Sequence, residues 1–176
     1  DHELNASTFA ARVIASTGAS LYDVVAGGIA ALKGPRHGGA SLRAARLVAA
    51  FVQGDLVGEV RERTVLGERF AGFGHPLYPR GDPRAVTLMK ALAAAGADKR
   101  LVVDAPRAVV EATGEVPNID YALAVMTRTL GMPAGKEVAM FALARTAGWL
   151  AHGMEQNATG ALIRPRARYT GPAPKT

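Results

Sequence analysis

The sequence contains no cysteine. That absence excludes disulfide bonds, a cysteine nucleophile and any zinc site built on thiolates. Aromatic residues make up only 6% of the chain, which leaves few rings for stacking on nucleic-acid bases. No run of about 18 consecutive apolar residues occurs, and no basic segment followed by an apolar run opens the chain, so we expect neither a membrane-spanning helix nor a signal peptide. We therefore expect a cytoplasmic protein.

Size and composition favour a helical chain that forms one domain or two small ones. The 176 residues are 49% hydrophobic and 20% charged, which is enough apolar surface for a buried core. Alanine is abundant and β-branched residues are few, so the composition predicts an all-α fold. The net charge of +6 indicates an acidic partner. Because the basic residues are scattered among glycine-rich turns, a small polyanionic ligand is favoured over nucleic acid.

Helical spacing of the apolar residues, together with capping signals, predicts eight helices. Ser20 and Asp23 have the spacing of a capping box, and Asp104 is expected to cap the sixth helix. Glycines and prolines concentrated between residues 72 and 83 exclude a helix there. The predicted helices cover residues 8–18, 20–32, 39–53, 55–68, 84–95, 105–113, 117–130 and 136–154.

The four histidines differ in their expected surroundings. His152 lies inside the last predicted helix, where a structural role is expected, whereas His2, His37 and His75 lie in loops or at helix ends, where functional side chains concentrate. His37 directly precedes a helix, and the helix dipole there disfavours a protonated imidazole, so we expect a neutral hydrogen-bond donor. No closely spaced histidine pair of the kind that binds zinc occurs, and no metal site is predicted.

Asp120 is the carboxylate with the most suggestive position. It follows Pro117-Asn118-Ile119 in the first turn of a predicted helix. A carboxylate there often satisfies free amide groups and the helix dipole. It can also act as a general base if a group that polarises an electrophile lies nearby. Spacing along the chain leaves both interpretations open.

Six short segments, in a fixed order along nearly the whole chain, form the most specific pattern in the sequence. They are Asp1–Thr8, Gly34–Ala40, Gly72–His75 with Gly81–Arg84, Pro117–Asp120, Phe141–Arg145, and Arg164-Pro165. In residue type and order, these segments resemble the later half of citrate synthases.

The resemblance implies a citrate synthase-like helical fold, comprising part of the large domain plus the small domain. Residues 1–39 would form a large-domain segment, 40–134 the small domain and 135–176 the C-terminal large-domain segment. Members of that family carry roughly as much chain again before these segments. We therefore expect the missing N-terminal half in the same or a separate chain, a homodimer, and 176 residues that are inactive and poorly folded by themselves.

The resemblance also implies an acyltransferase of the tricarboxylic acid cycle that condenses acetyl-CoA with oxaloacetate. His37 would donate a hydrogen bond to the thioester carbonyl while Asp120 removes a methyl proton, and His75 would polarise the ketone of oxaloacetate. Hydrolysis of citryl-CoA would follow. The groups implied to hold carboxylates or pack on the substrate are His2, Arg84, Arg145, Arg164 (reaching into the neighbouring subunit's site) and Phe141.

Acetyl-CoA enters as a co-substrate, and no permanently bound cofactor is expected. Arg36 and Arg80 lie beside matched loops, where they would either bind the phosphates of CoA or remain surface charges. Pro79 stands where many relatives have a basic residue, and the segment between Leu88 and Val116 is shorter than is usual in the family. Two alternatives stay open: a 2-methylcitrate synthase that uses propionyl-CoA, and a non-catalytic subunit or sensor that binds a dicarboxylate or acyl-CoA.

Overall fold

The computed structural model describes residues 4–133 and 135–172, and within them the chain is helical, with one isolated antiparallel bridge between Phe73 and Pro117. The predicted all-α fold is confirmed. No helix of the described part is both long enough and apolar enough to cross a membrane. The helices are Ala6–Ala15 (α1), Leu21–Leu32 (α2), Gly39–Gln53 (α3), Leu56–Val65 (α4), Pro83–Ala94 (α5), Ala105–Thr113 (α6), Ile119–Thr129 (α7) and Lys136–Thr159 (α8).

Most of these helices begin where a side chain can accept a hydrogen bond from a free backbone N–H group. Asn5 caps α1, Asp55 caps α4 and Asn118 caps α7. The capping box predicted for α2 is present, because the Ser20 side chain and the Asp23 side chain each accept from the other's backbone N–H. These local signals explain why the helix positions follow from the sequence.

Several helix boundaries differ from the predictions. Helix α1 spans Ala6–Ala15 where residues 8–18 were predicted, and α4 spans Leu56–Val65 where 55–68 were predicted. Two further differences have a clear structural cause. Asp104 does not cap α6: its backbone is already helical, as the end of a π-helical turn over Arg100–Asp104, and its carboxylate pairs with Arg107 at 2.9 Å. A capping residue needs an extended backbone, which that turn does not allow. Helix α8 continues to Thr159, five residues past its predicted end at residue 154, and stops at Gly160, whose φ of +61° takes the chain out of the helix.

Two separate hydrophobic clusters hold the helices together. The larger one, the α3–α7 core, contains Phe51, Leu101 and Tyr121. The smaller one, the Trp149 core, is formed by α1, α2 and α8 around Trp149, which is fully buried. Helices α7 and α8 also contact each other, so the two cores meet along that pair.

The loop between α4 and α5 is tied to the start of α7. Gly74 N–H donates to the carbonyl of Val116, and Asn118 N–H donates to the carbonyl of Gly72, both within 2.9 Å. Gly72 has a φ of +88°, and a Cβ there would lie 2.9 Å from the backbone nitrogen of Tyr121, so the loop can approach the helix this closely only with glycine. His75 is thereby held beside the helix that carries Asp120.

Candidate active site

His37 is held by a buried hydroxyl of the Trp149 core. Its Nε2 lies 2.9 Å from Ser7 Oγ, and the same oxygen accepts a hydrogen bond from Trp149 Nε1 at 3.2 Å. Burial lowers the pKa of His37 below 6.5, while the nearby charge of Asp120 acts in the opposite direction. The neutral imidazole predicted from the sequence is therefore favoured, with burial as its main physical cause.

Asp120 lies in the first turn of α7, and its side chain points back to α3. Its Oδ1 accepts a short hydrogen bond from the hydroxyl of Ser41, which is itself buried. The capping contact at this helix end is made by Asn118, which accepts from the backbone N–H of Asp120 at 2.9 Å. Because Asn118 caps the helix, the Asp120 carboxylate is available for chemistry.

A backbone hydrogen bond determines which nitrogen of the His75 ring carries the proton. The N–H of Leu77 donates to His75 Nδ1 at 3.1 Å, and the ring packs on Tyr78 with the centroids 4.8 Å apart. A nitrogen that accepts a hydrogen bond carries no proton, so the ring proton is on Nε2. His75 therefore offers a hydrogen-bond donor at Nε2.

Arg84 is fixed by a buried carboxylate. Its Nε and Nη2 donate to the two oxygens of Asp82 at 2.9 and 2.8 Å, and its guanidinium lies 5.3 Å from the centre of the Tyr78 ring. The hydrogen bond with Asp82 is the main cause of a raised Arg84 pKa. The guanidinium is thus a permanent charge with a defined orientation.

One cavity of about 450 Å³ brings several of the predicted substrate-binding residues together. It is lined by His75, Arg84, Phe141 and Arg145, with Tyr78 among the other lining residues. The guanidinium of Arg145 lies 5.9 Å from the Phe141 ring, and burial lowers its pKa. Two arginines and a histidine donor around a cavity of this size suit a small dicarboxylate.

A second cavity of about 650 Å³ lies on the other side of the same loop. Its lining includes His75, Asp120, Arg43 and Arg69. His75 therefore lines both cavities, and Asp120 lines the second. His37 lies beside this space, in contact with Ser7 and close enough to Asp120 for that charge to act on its pKa.

The remaining predicted residues lie elsewhere. Arg36 and Arg80 are exposed and line neither cavity. Arg164 is exposed in the segment after α8, and His2 lies outside the described residues. His152, predicted to be structural, faces Arg12, with its Nδ1 at 3.1 Å from Nη1.

Sequence reasoning missed several residues that shape the site. Ser7 and Ser41 contact His37 and Asp120, Asp82 holds Arg84, and Arg43 and Arg69 supply positive charge to the second cavity. Arg69 lies three residues before the Gly72–His75 segment, and that proximity was a usable signal. Within residues 4–133 and 135–172, no group of three or more histidines and carboxylates could hold a metal ion.

Comparisons with known proteins are consistent with this arrangement. The family model "Citrate synthase, C-terminal domain" matches residues 1–166. The chain is 40% identical over 185 residues to the putative citrate synthase 2 of Mycobacterium tuberculosis, covering 100% of this chain and 50% of that protein. It is 39% identical over 181 residues to 2-methylcitrate synthase 1 of Corynebacterium glutamicum, covering 97% and 47%. The chain thus spans about half the length of these curated relatives.

Solved structures give the same picture. The citrate synthase of Thermotoga maritima superposes with a TM-score of 0.78 at 37% identity, covering 100% of this chain and 51% of that chain. The citryl-CoA lyase of Hydrogenobacter thermophilus gives a TM-score of 0.83 at 28% identity, covering 100% and 74%. The Thermoplasma acidophilum citrate synthase, solved as a ternary complex with carboxymethyl coenzyme A and oxaloacetate, gives 0.78 at 34% identity, covering 100% and 50%.

Proposed function

The chain belongs to the citrate synthase family, and on that premise we propose that it is the catalytic half of an acyltransferase that condenses acetyl-CoA with oxaloacetate to give citrate and CoA. The observation that carries this proposal is the position of His75, which lines both cavities. Arg84 and Arg145 lie on one side of it and Asp120 on the other. A dicarboxylate and a thioester bound in the two cavities would meet at this residue.

The first step is formation of the enol of acetyl-CoA. Asp120 takes a proton from the methyl group, the C–H electron pair moves into the new carbon–carbon double bond, and the C=O π pair moves onto the thioester oxygen. A hydrogen bond from His37 stabilises the charge on that oxygen, so the product is an enolate held as a hydrogen-bonded, enol-like species. Asp120 Oδ1 accepts from Ser41, which leaves Oδ2 for the proton. A neutral donor at the start of α3 suits this role, because it stabilises the developing negative charge without a full positive charge of its own.

The second step joins the two substrates. The enolate carbon attacks the ketone carbon of oxaloacetate, and the ketone π pair moves onto its oxygen. His75 Nε2–H donates a hydrogen bond to that oxygen as negative charge develops there. Arg84 and Arg145 would each bind a carboxylate of oxaloacetate, since a guanidinium can bind a carboxylate through two parallel hydrogen bonds. Hydrolysis of the citryl-CoA thioester then releases citrate and CoA.

Arg43 and Arg69 are proposed to hold the anionic groups of CoA. Both are exposed and line the cavity that contains Asp120, whereas Arg36 and Arg80 line neither cavity. The net charge of +6 agrees with two polyanionic substrates. The assignment of Arg36 and Arg80 to CoA, made from the sequence, stays a prediction that competes with this one.

The family also contains other activities that use similar chemistry. A 2-methylcitrate synthase would accept propionyl-CoA, and a citryl-CoA lyase would break the bond that a citrate synthase forms; one relative and one structural neighbour carry these names. A non-catalytic binding protein is disfavoured, because a binding role does not need the His37, His75 and Asp120 set.

The two hydrophobic cores support the proposed division into large-domain residues 1–39 and 135–176 and small-domain residues 40–134. We propose that the active form is a cytoplasmic homodimer in which Arg164 reaches the neighbouring site and His2 holds a carboxylate. This form would include the upstream segment that full-length relatives carry, fused or as a separate chain. We call that combination the assembled enzyme.

The test is release of CoA by the assembled enzyme from acetyl-CoA and oxaloacetate, run beside propionyl-CoA and beside citryl-CoA cleavage. Asp120→Asn should lower kcat by at least about 100-fold and leave oxaloacetate binding intact, the scale expected for loss of a general base. Asp98→Asn is the matched control, because asparagine still accepts from Arg100 N–H at that exposed turn. Near-normal turnover by Asp120→Asn would contradict the assignment.

A further inference from the structure

Asp82 is a buried carboxylate to which the mechanism above gives no task. Its side chain has no exposed surface. Burial by itself would raise its pKa, but hydrogen bonds and charge from Arg84, with a further hydrogen bond from Ile119, lower the pKa overall. The carboxylate is therefore ionised in the folded protein, and its four hydrogen bonds all come from two residues.

Those hydrogen bonds join two helix starts. Oδ1 accepts from the backbone N–H of Arg84 at 3.0 Å and from its Nε at 2.9 Å. Oδ2 accepts from Nη2 of Arg84 at 2.8 Å and from the backbone N–H of Ile119 at 3.0 Å. Arg84 is in the first turn of α5, and Ile119 is the first residue of α7, directly before Asp120. One carboxylate thus connects the residue assigned to the dicarboxylate with the helix that carries the base.

We propose that Asp82 is a positioning residue that sets the geometry of Arg84 and of Asp120 together. This inference rests on the proposed function, in which Arg84 binds oxaloacetate and Asp120 removes the methyl proton. With the Nε–Nη2 edge of its guanidinium held by Asp82 and one face packed on Tyr78, Arg84 presents its remaining N–H groups to the cavity in one orientation. The bond to Ile119 fixes the start of α7 relative to that arginine.

Two substitutions distinguish the contact of Asp82 with Arg84 from its contact with Ile119. Asp82→Asn puts an amide group in place of one carboxylate oxygen. Because both oxygens accept from Arg84, the Arg84 fork loses one acceptor in either orientation of the amide, and the Ile119 N–H loses its acceptor when the amide replaces Oδ2. Ile119→Pro removes the N–H of residue 119 together with the isoleucine side chain, and leaves Asp82 and Arg84 unchanged. Proline is well tolerated at the first position of a helix, and Asn118, which precedes it, is already extended, with φ of −109° and ψ of −178°. Ile119→Ala is the matched reference, since it loses the side chain and keeps the N–H.

In the assembled enzyme we expect Asp82→Asn to raise the oxaloacetate KM at least about 10-fold, as a misaligned binding group does. Combined with Arg84→Ala, it should add little to the KM of that single variant, because both changes act through the same guanidinium. Ile119→Pro should lower kcat by about 10-fold or more relative to Ile119→Ala, with the oxaloacetate KM changed less than about 2-fold, because only the base is displaced.

A merely structural role predicts something different: lower melting temperatures, additive effects of Asp82→Asn and Arg84→Ala on KM, and equal kcat for Ile119→Pro and Ile119→Ala. That result would overturn the inference. If Asp82→Asn does not fold, the comparison of kcat between Ile119→Pro and Ile119→Ala still tests the inference, since both substitutions are confined to the start of α7. A parent enzyme that does not turn over acetyl-CoA would count against the proposed function instead, and calorimetric titration of oxaloacetate would then still test the link between Asp82 and Arg84.

Discussion

A methyl group added at Gly28 should break the packing that holds His37. Gly28 is buried in α2 against the indole of Trp149. A Cβ at this position would lie 2.5 Å from Cδ2, 2.8 Å from Cε2 and 2.9 Å from Cε3 of that ring. The ring is rigid and fully buried, so Gly28→Ala requires Trp149 to move.

The change in the free energy of unfolding follows from one stabilising effect and two destabilising ones. Alanine is a better helix former than glycine by about 1 kcal/mol. Overpacking a core costs about 1–3 kcal/mol. Moving the indole also breaks the hydrogen bond from Trp149 Nε1 to Ser7, and a buried donor without a partner costs about 1–3 kcal/mol. We expect the free energy of unfolding to fall by about 1–5 kcal/mol.

Gly27→Ala is the control on the same helix. Its Cβ would lie 1.9 Å from Cδ1 of Ile14, the end of a flexible side chain that can rotate away. The gain in helix propensity should offset that adjustment, so we expect a stability within about 1 kcal/mol of the parent. The two variants differ mainly in whether the contacted side chain is rigid.

The assay is urea unfolding of the assembled enzyme, read by circular dichroism, together with ¹⁹F NMR. This chain contains a single tryptophan, so 5-fluorotryptophan incorporated into it alone, with an unlabelled upstream chain added, gives one signal from position 149. Gly28→Ala should shift that signal and lower kcat through Ser7 and His37. Equal stability of the two variants with an unchanged ¹⁹F signal would refute the packing on which this reasoning rests.

Three further predictions concern the site itself. Ser41→Ala should lower kcat about 10-fold while Ser41→Thr, which keeps the hydroxyl, retains most of it, because the hydroxyl orients Asp120; equal rates for the two variants would contradict this. Folding lowers the pKa of His37, so below pH 6.5 the unfolded chain binds more protons than the folded chain, and the free energy of unfolding should decrease as the pH is lowered. Urea titrations from pH 5 to 8 should show a weaker pH dependence for His37→Gln. Arg69→Ala should raise the acyl-CoA KM about 10-fold, the effect of losing one charge-assisted hydrogen bond, and Arg80→Ala should raise it less than about 2-fold. A larger effect of Arg80→Ala would favour the assignment made from the sequence.

Local sequence signals were sufficient for the helices. The capping box at Ser20 and Asp23 and the glycines and prolines between residues 72 and 83 act over a few residues, and their geometry is the same in any helical protein. The π-helical turn before α6 was not predictable in this way. Its start coincides with a tertiary contact, because Arg100 donates to the carbonyls of Phe51 and Gly54, far away in the sequence.

The sequence by itself also determined the family, because the six segments are recognised by their residue types and their order, without knowledge of where they lie in the fold. It did not determine which side chains support those segments. Ser41 and Asp120 are 79 residues apart, and Ser7 and Trp149 are 142 apart, so no local pattern pairs them. The choice between Arg69 and Arg80 is likewise spatial: both are exposed and both adjoin the same loop, but only Arg69 lines the second cavity in the folded chain. Such contacts form because helices pack their buried faces together, and the spacing of residues along the sequence does not indicate which helix faces contact each other.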